Sequence, residues 1–228
     1  MEIYENLEIV DLALKYKSIL IIGDLQLGYE SYLNSKGILV PRFQFKELKE
    51  RLNKILDKVK IKKIIFNGDI KHEFGNISEQ EWREVLALID FLPKNLEIIF
   101  VKGNHDTFLS PIAKKRNVKL VDYYNVDNIS IMHGDKIIPD LRKTLIIGHE
   151  HPAVSFKERR DELFKCFIKG KWKSHTLIVM PSFNSFNPGS DVQKSKHLSP
   201  FLQGNLKDFE VYAVEDKVYY FGKIKDLK

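Results

Sequence analysis

A single cysteine, Cys166, stands in 228 residues, which excludes an intramolecular disulfide and a thiolate-held metal cluster. Any metal chemistry must therefore use oxygen and nitrogen donors, and the expected setting is reducing and cytoplasmic. Long apolar runs are also missing: none approaches the ~20 residues of a spanning helix. The N-terminus carries Glu2, Glu5 and Glu8 where a secretory leader has a basic region, so no membrane association is expected. There is no internal repeat and no low-complexity linker. With 43% hydrophobic residues, the expectation is one folded domain over residues 1–228 with a sizeable core. Nor is the charge of one sign. Lys and Arg number 37 against 31 Asp and Glu, so the net +6 gives weak support to a polyanionic partner.

What the sequence does contain is a series of short apolar runs, each ending in a glycine-flanked polar cluster. Two strand-like runs, 9–13 and 18–22, are separated by a polar turn at Tyr16-Lys17, and the second ends in Gly23-Asp24-Leu25-Gln26-Leu27-Gly28. A loop over 30–40 leads to Pro41 and then to Phe45, Leu48, Leu52, Ile55, Leu56 and Val59, the spacing of one helix face with Pro in its first turn. Ile64-Ile65-Phe66 runs into Asn67-Gly68-Asp69-Ile70-Lys71-His72. Ser78 with Glu81 forms a capping box and Ile77 with Trp82 a hydrophobic staple, so a second helix is expected over about 79–92, stopping before Pro93. A strand at 97–101 delivers Gly103-Asn104-His105-Asp106, and a short helix should start at Pro111 with Ser110 as its cap. Strands at 118–121 and 129–132 follow, the latter ending in His133-Gly134-Asp135, and Leu145-Ile146-Ile147 ends in Gly148-His149-Glu150-His151-Pro152. The remainder reads as antiparallel: strands at 163–168 and 176–180 about a polar turn at 169–173, a loop over 181–200 with the turn signal Asn187-Pro188-Gly189, and a closing hairpin of 210–214 and 218–221.

In alternating α/β folds, parallel strands bring their C-terminal loops to one crevice. Asp24, Asp69, Asn104, His105, His133, His149 and His151 would meet there. Hard oxygen donors and imidazoles without sulfur suit Mn²⁺, Fe or Zn²⁺. A shared carboxylate can bridge two ions about 3.5–4 Å apart, the spacing that activates water for in-line displacement at phosphorus. Burying so many polar groups for stability alone is unfavourable, because each uncompensated group costs roughly 1–3 kcal/mol.

The ordered series GD, GD, GN-H-D, a single H and GH-x-H resembles the calcineurin-like metallophosphoesterase superfamily over roughly 18–152. The resemblance implies a four-layer αββα sandwich of two mixed β-sheets and a two-metal phosphoesterase whose metal-bridging hydroxide attacks phosphorus. By that resemblance Asp69 bridges the ions, Asp24 and His151 hold the first, and Asn104, His133 and His149 hold the second. His105 would assist the leaving oxygen, oriented by Asp106. Within the superfamily, Gly68-Asp69-Ile70-Lys71-His72 resembles the GD-x-x-H of SbcD-like DNA repair nucleases, where phosphatases often have GD-x-x-D. His72 therefore points to a phosphodiester. Gly148-His149-Glu150-His151-Pro152 and Pro181-Ser182-Phe183-Asn184 resemble archaeal SbcD-related and bacterial ligase-associated phosphoesterases. The implied substrate is nucleic acid, DNA first, with a DNA-repair protein partner or a short substrate replacing the capping region of full-length SbcD proteins. A hydrolase of nucleotides or small phosphate esters, and a binding module that keeps the metals with little turnover, remain the alternatives.

Gln26 departs from the pattern, which has D-x-H at the first motif. Its amide oxygen either coordinates the first ion, favouring Mn²⁺, or lines the turn. Asp135 and Glu150 are candidates for orienting a ligating imidazole. Lys157, Arg159, Arg160, Lys165, Lys169, Lys171 and Lys173 with Phe156, Phe164, Phe167 and Trp172 offer either a nucleic-acid surface or a solvated strand face; interspersed Glu158, Asp161 and Glu162 favour the latter. His175 and His197 lie outside every motif and read as structural.

Overall fold

The computed structural model describes residues 1–156, 159–194 and 196–227, with backbone alone for 159–161. The chain opens as an antiparallel meander, β1 (Glu2–Tyr4), β2 (Leu7–Val10), β3 (Ala13–Tyr16) and β4 (Ile19–Gly23). The expected run at 9–13 is thus split: Asp11 takes φ 56° and turns the chain between β2 and β3. From β4 the first sheet becomes parallel through β5 (Lys63–Asn67), β6 (Glu97–Val101) and β7 (Lys119–Val121), giving seven strands in sequence order.

Helices α1 (Tyr29–Ser35), α2 (Gln44–Leu56), α3 (Glu79–Phe91) and α4 (Ser110–Lys115) form the connections. The first was expected as loop. It is seven residues long and rests on buried Glu30, whose carboxylate accepts from Gln44 N at 2.7 Å and from Gln80 Nε2 at 3.2 Å. Such a helix, held by polar contacts from distant residues, leaves no apolar periodicity to read. Pro41 lies outside α2 rather than in its first turn. The capping box of α3 is present as expected, Ser78 and Glu81 satisfying each other's backbone N–H. Ser110 sits inside α4 instead of capping it; Leu109 is the N-cap.

The second sheet runs β14 (Ser190–Asp191), β11 (Pro152–Phe156), β12 (Arg159–Trp172), β13 (His175–Val179), β10 (Thr144–Ile147), β9 (Ile129–Met132) and β8 (Tyr123–Val126), with β15 (Glu210–Val214) and β16 (Val218–Lys223) extending from β12. It too is mixed: β10 is parallel to β9 and β13, whereas β12 is antiparallel to β11, β13 and β15. Residues 169–172, expected as turn, continue β12, and the reversal is at Lys173, φ 52°.

Period-two alternation splits the second sheet's side chains between two cores. Ile129, Ile131, Ile146, Phe167, Ile178 and Tyr212 face the first sheet, in the core shared with Leu48 and Leu52 of α2 and Val85 and Leu88 of α3. Met132, Leu145, Ile147, Cys166, Ile168, Leu177 and Val179 face outward. The outward face is covered by the irregular segment carrying Val192, Phe201, Leu202, Leu206 and Phe209, with Ile224 of a short 3-10 helix. The fourth layer is therefore largely irregular chain, and the two mixed sheets with helices are as the resemblance implied. Among the described residues, no helix is long and apolar enough to cross a membrane.

Candidate metal centre

The ends of β4, β5 and β6 meet those of β9 and β10 at one rim, and Asn67 Nδ2 ties the sheets there by donating to Met132 O at 2.9 Å. Leaving the strands, the chain drops repeatedly into the left-handed region: Asp24 (φ 49°), Gln26 (47°), Asp69 (39°), His149 (69°) and His151 (48°). Such residues cost of order 1–3 kcal/mol each and persist only where the surroundings over-determine them. Here Gln26 N donates to Asp69 O at 2.8 Å, His149 N to Asp24 Oδ2 at 3.0 Å, and His105 N to Asp69 Oδ1 at 3.1 Å. Two motif glycines are explained by the same crowding. A Cβ on Gly68 (φ 79°) would lie 1.9 Å from His133 Nδ1, and one on Gly148 2.3 Å from Asp24 Oδ2.

The side chains converge closely. His133 is central, Nδ1 3.3 Å from Asp24 Oδ1 and Nε2 3.4 Å from Asp69 Oδ2, 2.8 Å from Asn104 Oδ1 and 3.0 Å from His149 Nδ1. His151 Nε2 lies 3.6 Å from Asp24 Oδ2, and His105 Nε2 3.8 Å from Asp69 Oδ2. Ligand atoms of Asp69, His133 and His149 all fall within 4.8 Å of one another. His133 thus touches Asp24 as well as the second group, so the two ligand sets implied by the resemblance interlock.

These residues fit a divalent cation on chemical grounds. Buried Asp24 Oδ1, His133 Nδ1 and His151 Nε2 lack hydrogen-bond partners, although unsatisfied buried polar atoms are rare. Two imidazole nitrogens, of His133 and His149, face each other at contact distance. The titration properties agree. Burial pushes the Asp24 carboxyl up, but His151 and His133 hold it below the usual carboxylate range. Burial opposes a charge on His133, yet the Asp24 and Asp69 carboxylates bring its imidazole up to about 9. Burial and then His133 lower His149. Protons thus compete for the positions a cation would take, which couples occupancy to pH.

Two expectations change. The Asp106 carboxylate does not orient His105: it accepts from the backbone N–H of Gly103 (2.9 Å), Ile70 (3.2 Å) and Lys71 (3.3 Å), tying the Asn104 turn to the Asp69 turn. Its burial and then Asp69 raise it to about 7. The His105 ring is held instead through Nδ1 by the backbone carbonyl of His72. Glu150 is likewise turned away, engaging Ser199 N and lying 3.6 Å from His197 Nδ1. His175 Nδ1 contacts Arg142 O at 2.7 Å. Of the basic run, Lys157 and Glu158 lie outside the described residues, as do the side chains of Arg159, Arg160 and Asp161. Phe167 is core, Lys169 pairs with Glu210 at 2.8 Å, and Lys165 turns inward.

Sequence reasoning missed Asn187. Its Nδ2 donates to Gln26 Oε1 at 3.1 Å and contacts His151 Nδ1 at 2.7 Å, while its Oδ1 accepts from Gly189 N at 2.9 Å. The Asn-Pro-Gly signal marked a turn but not its destination. The loop reaches the rim because Ser182 Oγ donates to Asp24 O at 2.8 Å and Phe183 N to Gly23 O at 3.0 Å. Lys165 Nζ donates to Ser182 O at 2.9 Å and to Asn184 O.

The fold is shared with a known structure, the Pseudomonas putida nuclease MPE, at TM-score 0.68 and 17% identity over 92% of each chain. A protein of unknown function from Aquifex aeolicus, AQ665, matches at 19% identity over 58% of this chain and 78% of its own, with TM-score 0.38. No curated protein matches by sequence. The calcineurin-like phosphoesterase family model matches residues 17–212, which takes in every polar cluster at the rim. The chain belongs to the calcineurin-like phosphoesterase family and is a metal-dependent phosphoester hydrolase.

Proposed function

We propose that this protein is a two-metal phosphodiesterase cleaving nucleic-acid backbones, with DNA the first substrate to test. It acts as one domain in a reducing, cytoplasmic setting. Asp24, His151 and the Gln26 amide oxygen hold one ion, Asn104, His133 and His149 the other, and Asp69 is shared. Mn²⁺ suits this oxygen and imidazole set, with Fe or Zn²⁺ as alternatives. When bound, the ions supply an acidified water and neutralise charge on the phosphoryl oxygens.

The rest falls to the chain's own groups. The His72 carbonyl accepts from His105 Nδ1–H and leaves Nε2 as the nitrogen that faces the site; in the imidazolium form the Nε2 proton can pass to the departing oxygen, leaving the neutral ring protonated on Nδ1. The observation carrying the diester reading is His72 itself. Its ring lies 5.8 Å from that of His105, and burial, then His105, lower it to about 4. It is therefore neutral at pH 7 and walls the site beside His105 without adding positive charge. A diester, with one ionisable oxygen fewer than a monoester, suits such a wall better than a phosphate dianion does. The neighbour of shared fold from Pseudomonas putida bears the name nuclease, which agrees with this reading.

The test is Mn²⁺-loaded protein assayed side by side on single-stranded DNA, a chromogenic diester, a chromogenic monoester and a nucleotide panel. Diester cleavage should dominate, and His72→Ala should lower it more than monoester hydrolysis. Equal losses on both, or activity confined to nucleotides, would replace this reading with a small-ester hydrolase.

A further inference from the structure

Beside His105 the protein exposes an aromatic wall that the core does not use. Tyr29 and Tyr32, three residues apart on α1, stack with ring centroids 6.3 Å apart and 17° between planes. Both set their rings edgewise against His72, at 4.5 and 4.8 Å. Phe74 makes an edge contact with His105 at 5.4 Å. Tyr32 is 40% exposed and Phe74 67%. Lys36 Nζ stands 5.6 Å from the Tyr32 ring centroid, so a cation borders the wall. The helix bearing the tyrosines is held by Glu30, and neither ring belongs to the two hydrophobic cores.

We propose that Tyr29, Tyr32 and Phe74 form a stacking subsite for a nucleobase next to the scissile phosphate, so that the preferred substrate is a single strand with unpaired bases. This rests on the phosphodiesterase reading and names its substrate class. The rings touch the two imidazoles that would face the phosphate, His72 at 4.5 and 4.8 Å and His105 at 5.4 Å, so the base adjoining that phosphate is the group they would meet. Flat apolar faces bordered by a cation fit a base and its backbone; they offer little to a small phosphate monoester. Aromatic stacking accepts any base, because every base has a π face, so this subsite predicts little sequence preference. In a duplex the same bases are paired and stacked on one another, and they must leave that stack to reach the wall.

The experiment compares two end-labelled single-stranded oligonucleotides of equal length, one with bases and one abasic throughout, plus the duplex of the first, with Mn²⁺-loaded protein. Wild type should favour the base-bearing single strand over both others. Tyr32→Ala and Phe74→Ala should each lower kcat/KM on it by roughly 5- to 150-fold, the range for losing one base–aromatic stack. The loss should fall mainly on KM, and the ratio of base-bearing to abasic rates should collapse towards one. Phe74→Trp should restore it, and thermal melting identifies any variant that has lost its fold; Phe74, being exposed, keeps the test available. Equal losses on base-bearing and abasic strands, or a wild type indifferent to bases, would overturn the subsite. Equal rates on single strand and duplex would overturn the strand preference. A wild type that cleaves no oligonucleotide yet hydrolyses small esters would instead overturn the phosphodiesterase reading beneath it.

Discussion

In two regions of this molecule left-handed backbone serves opposite ends. In the hairpins, Asn6, Asp11, Lys17, Asp127 and Lys173 turn the antiparallel strands at φ 48–65°. Their side chains stay at the surface: Asp127, for example, is exposed and accepts from Tyr16 and Lys17 at 2.8 and 2.9 Å. At the rim, Asp24, Asp69, His149 and His151 hold the same conformation but aim inward, and buried Asp24 Oδ1 and His151 Nε2 lack hydrogen-bond partners. Strain by itself therefore marks a turn. Strain combined with buried ligand atoms that no hydrogen bond satisfies marks a place arranged for something else to bind.

Removing the carboxylate proposed to be shared, that of Asp69, tests that contrast most severely. Asp69→Asn should abolish turnover and weaken both ions, because a neutral amide cannot balance two cations; elemental analysis after dialysis reads the ion content. Two retained ions with full activity would mean that Asp69 is not shared. Asn187→Ala comes next. Without it, Gln26 Oε1 and His151 Nδ1 lose a common partner, and groups that orient ligands are typically worth 10- to 100-fold in metal affinity. A Mn²⁺ titration should shift to higher concentration by that order, with the rate at saturation largely kept. A curve superimposable on wild type would show that Asn187 merely closes its loop.

How legible these regions were in the sequence follows from what each depends on. The rim was readable because each of its clusters ends a local apolar run: Asp24, Asp69, Asn104, His133 and His149 announce themselves by position. Asn187 and Tyr32 were not, since their importance depends on contacts with His151 and His72, far away in the chain. The same holds for α1, which Glu30 fixes through Gln44 and Gln80, and for Asp106, to which the resemblance gave the orienting of His105 and which the backbone amides claim instead. Strands β1 and β8, short and at sheet edges, and the two-residue β14 carry too few alternating residues to read, while in the buried β11 Pro152 and Ser155 interrupt the apolar run. The capping box of α3, purely local, was fully visible.

A smaller effect concerns Lys165, the link from the antiparallel flank to the rim loop. Burial, then Arg51, lowers its ammonium to about 7, whereas in the unfolded chain it returns to about 10.4. Between those values the unfolded state binds more protons, so stability rises with pH there; below about 7 the full cost of the charge is present. Lys165→Met should flatten that rise, by at most about 1.4 kcal/mol per pH unit. Denaturant melts at pH 6, 8 and 10 measure it, and parallel profiles for the two proteins would mean that Lys165 keeps its charge when folded.

The smallest expected effect is the control on the hairpin side, Lys173→Gly. A non-glycine residue in the left-handed region costs roughly 1–2 kcal/mol, which glycine removes. Against this stand about 0.5–1 kcal/mol of added freedom in the unfolded chain and the contact of Lys173 Nζ with the Trp172 ring at 4.5 Å, worth about 0.5–1 kcal/mol at an exposed site. The sum lies within about 1 kcal/mol of zero, so the melting temperature should move by a few degrees at most. Turnover and Mn²⁺ dependence should be unchanged, because the reversal between β12 and β13 carries no group to the rim. If instead Lys173→Gly lowered turnover or metal affinity severalfold, the hairpins would be mechanically coupled to the metal centre, and the division between turning strain and binding strain would fail.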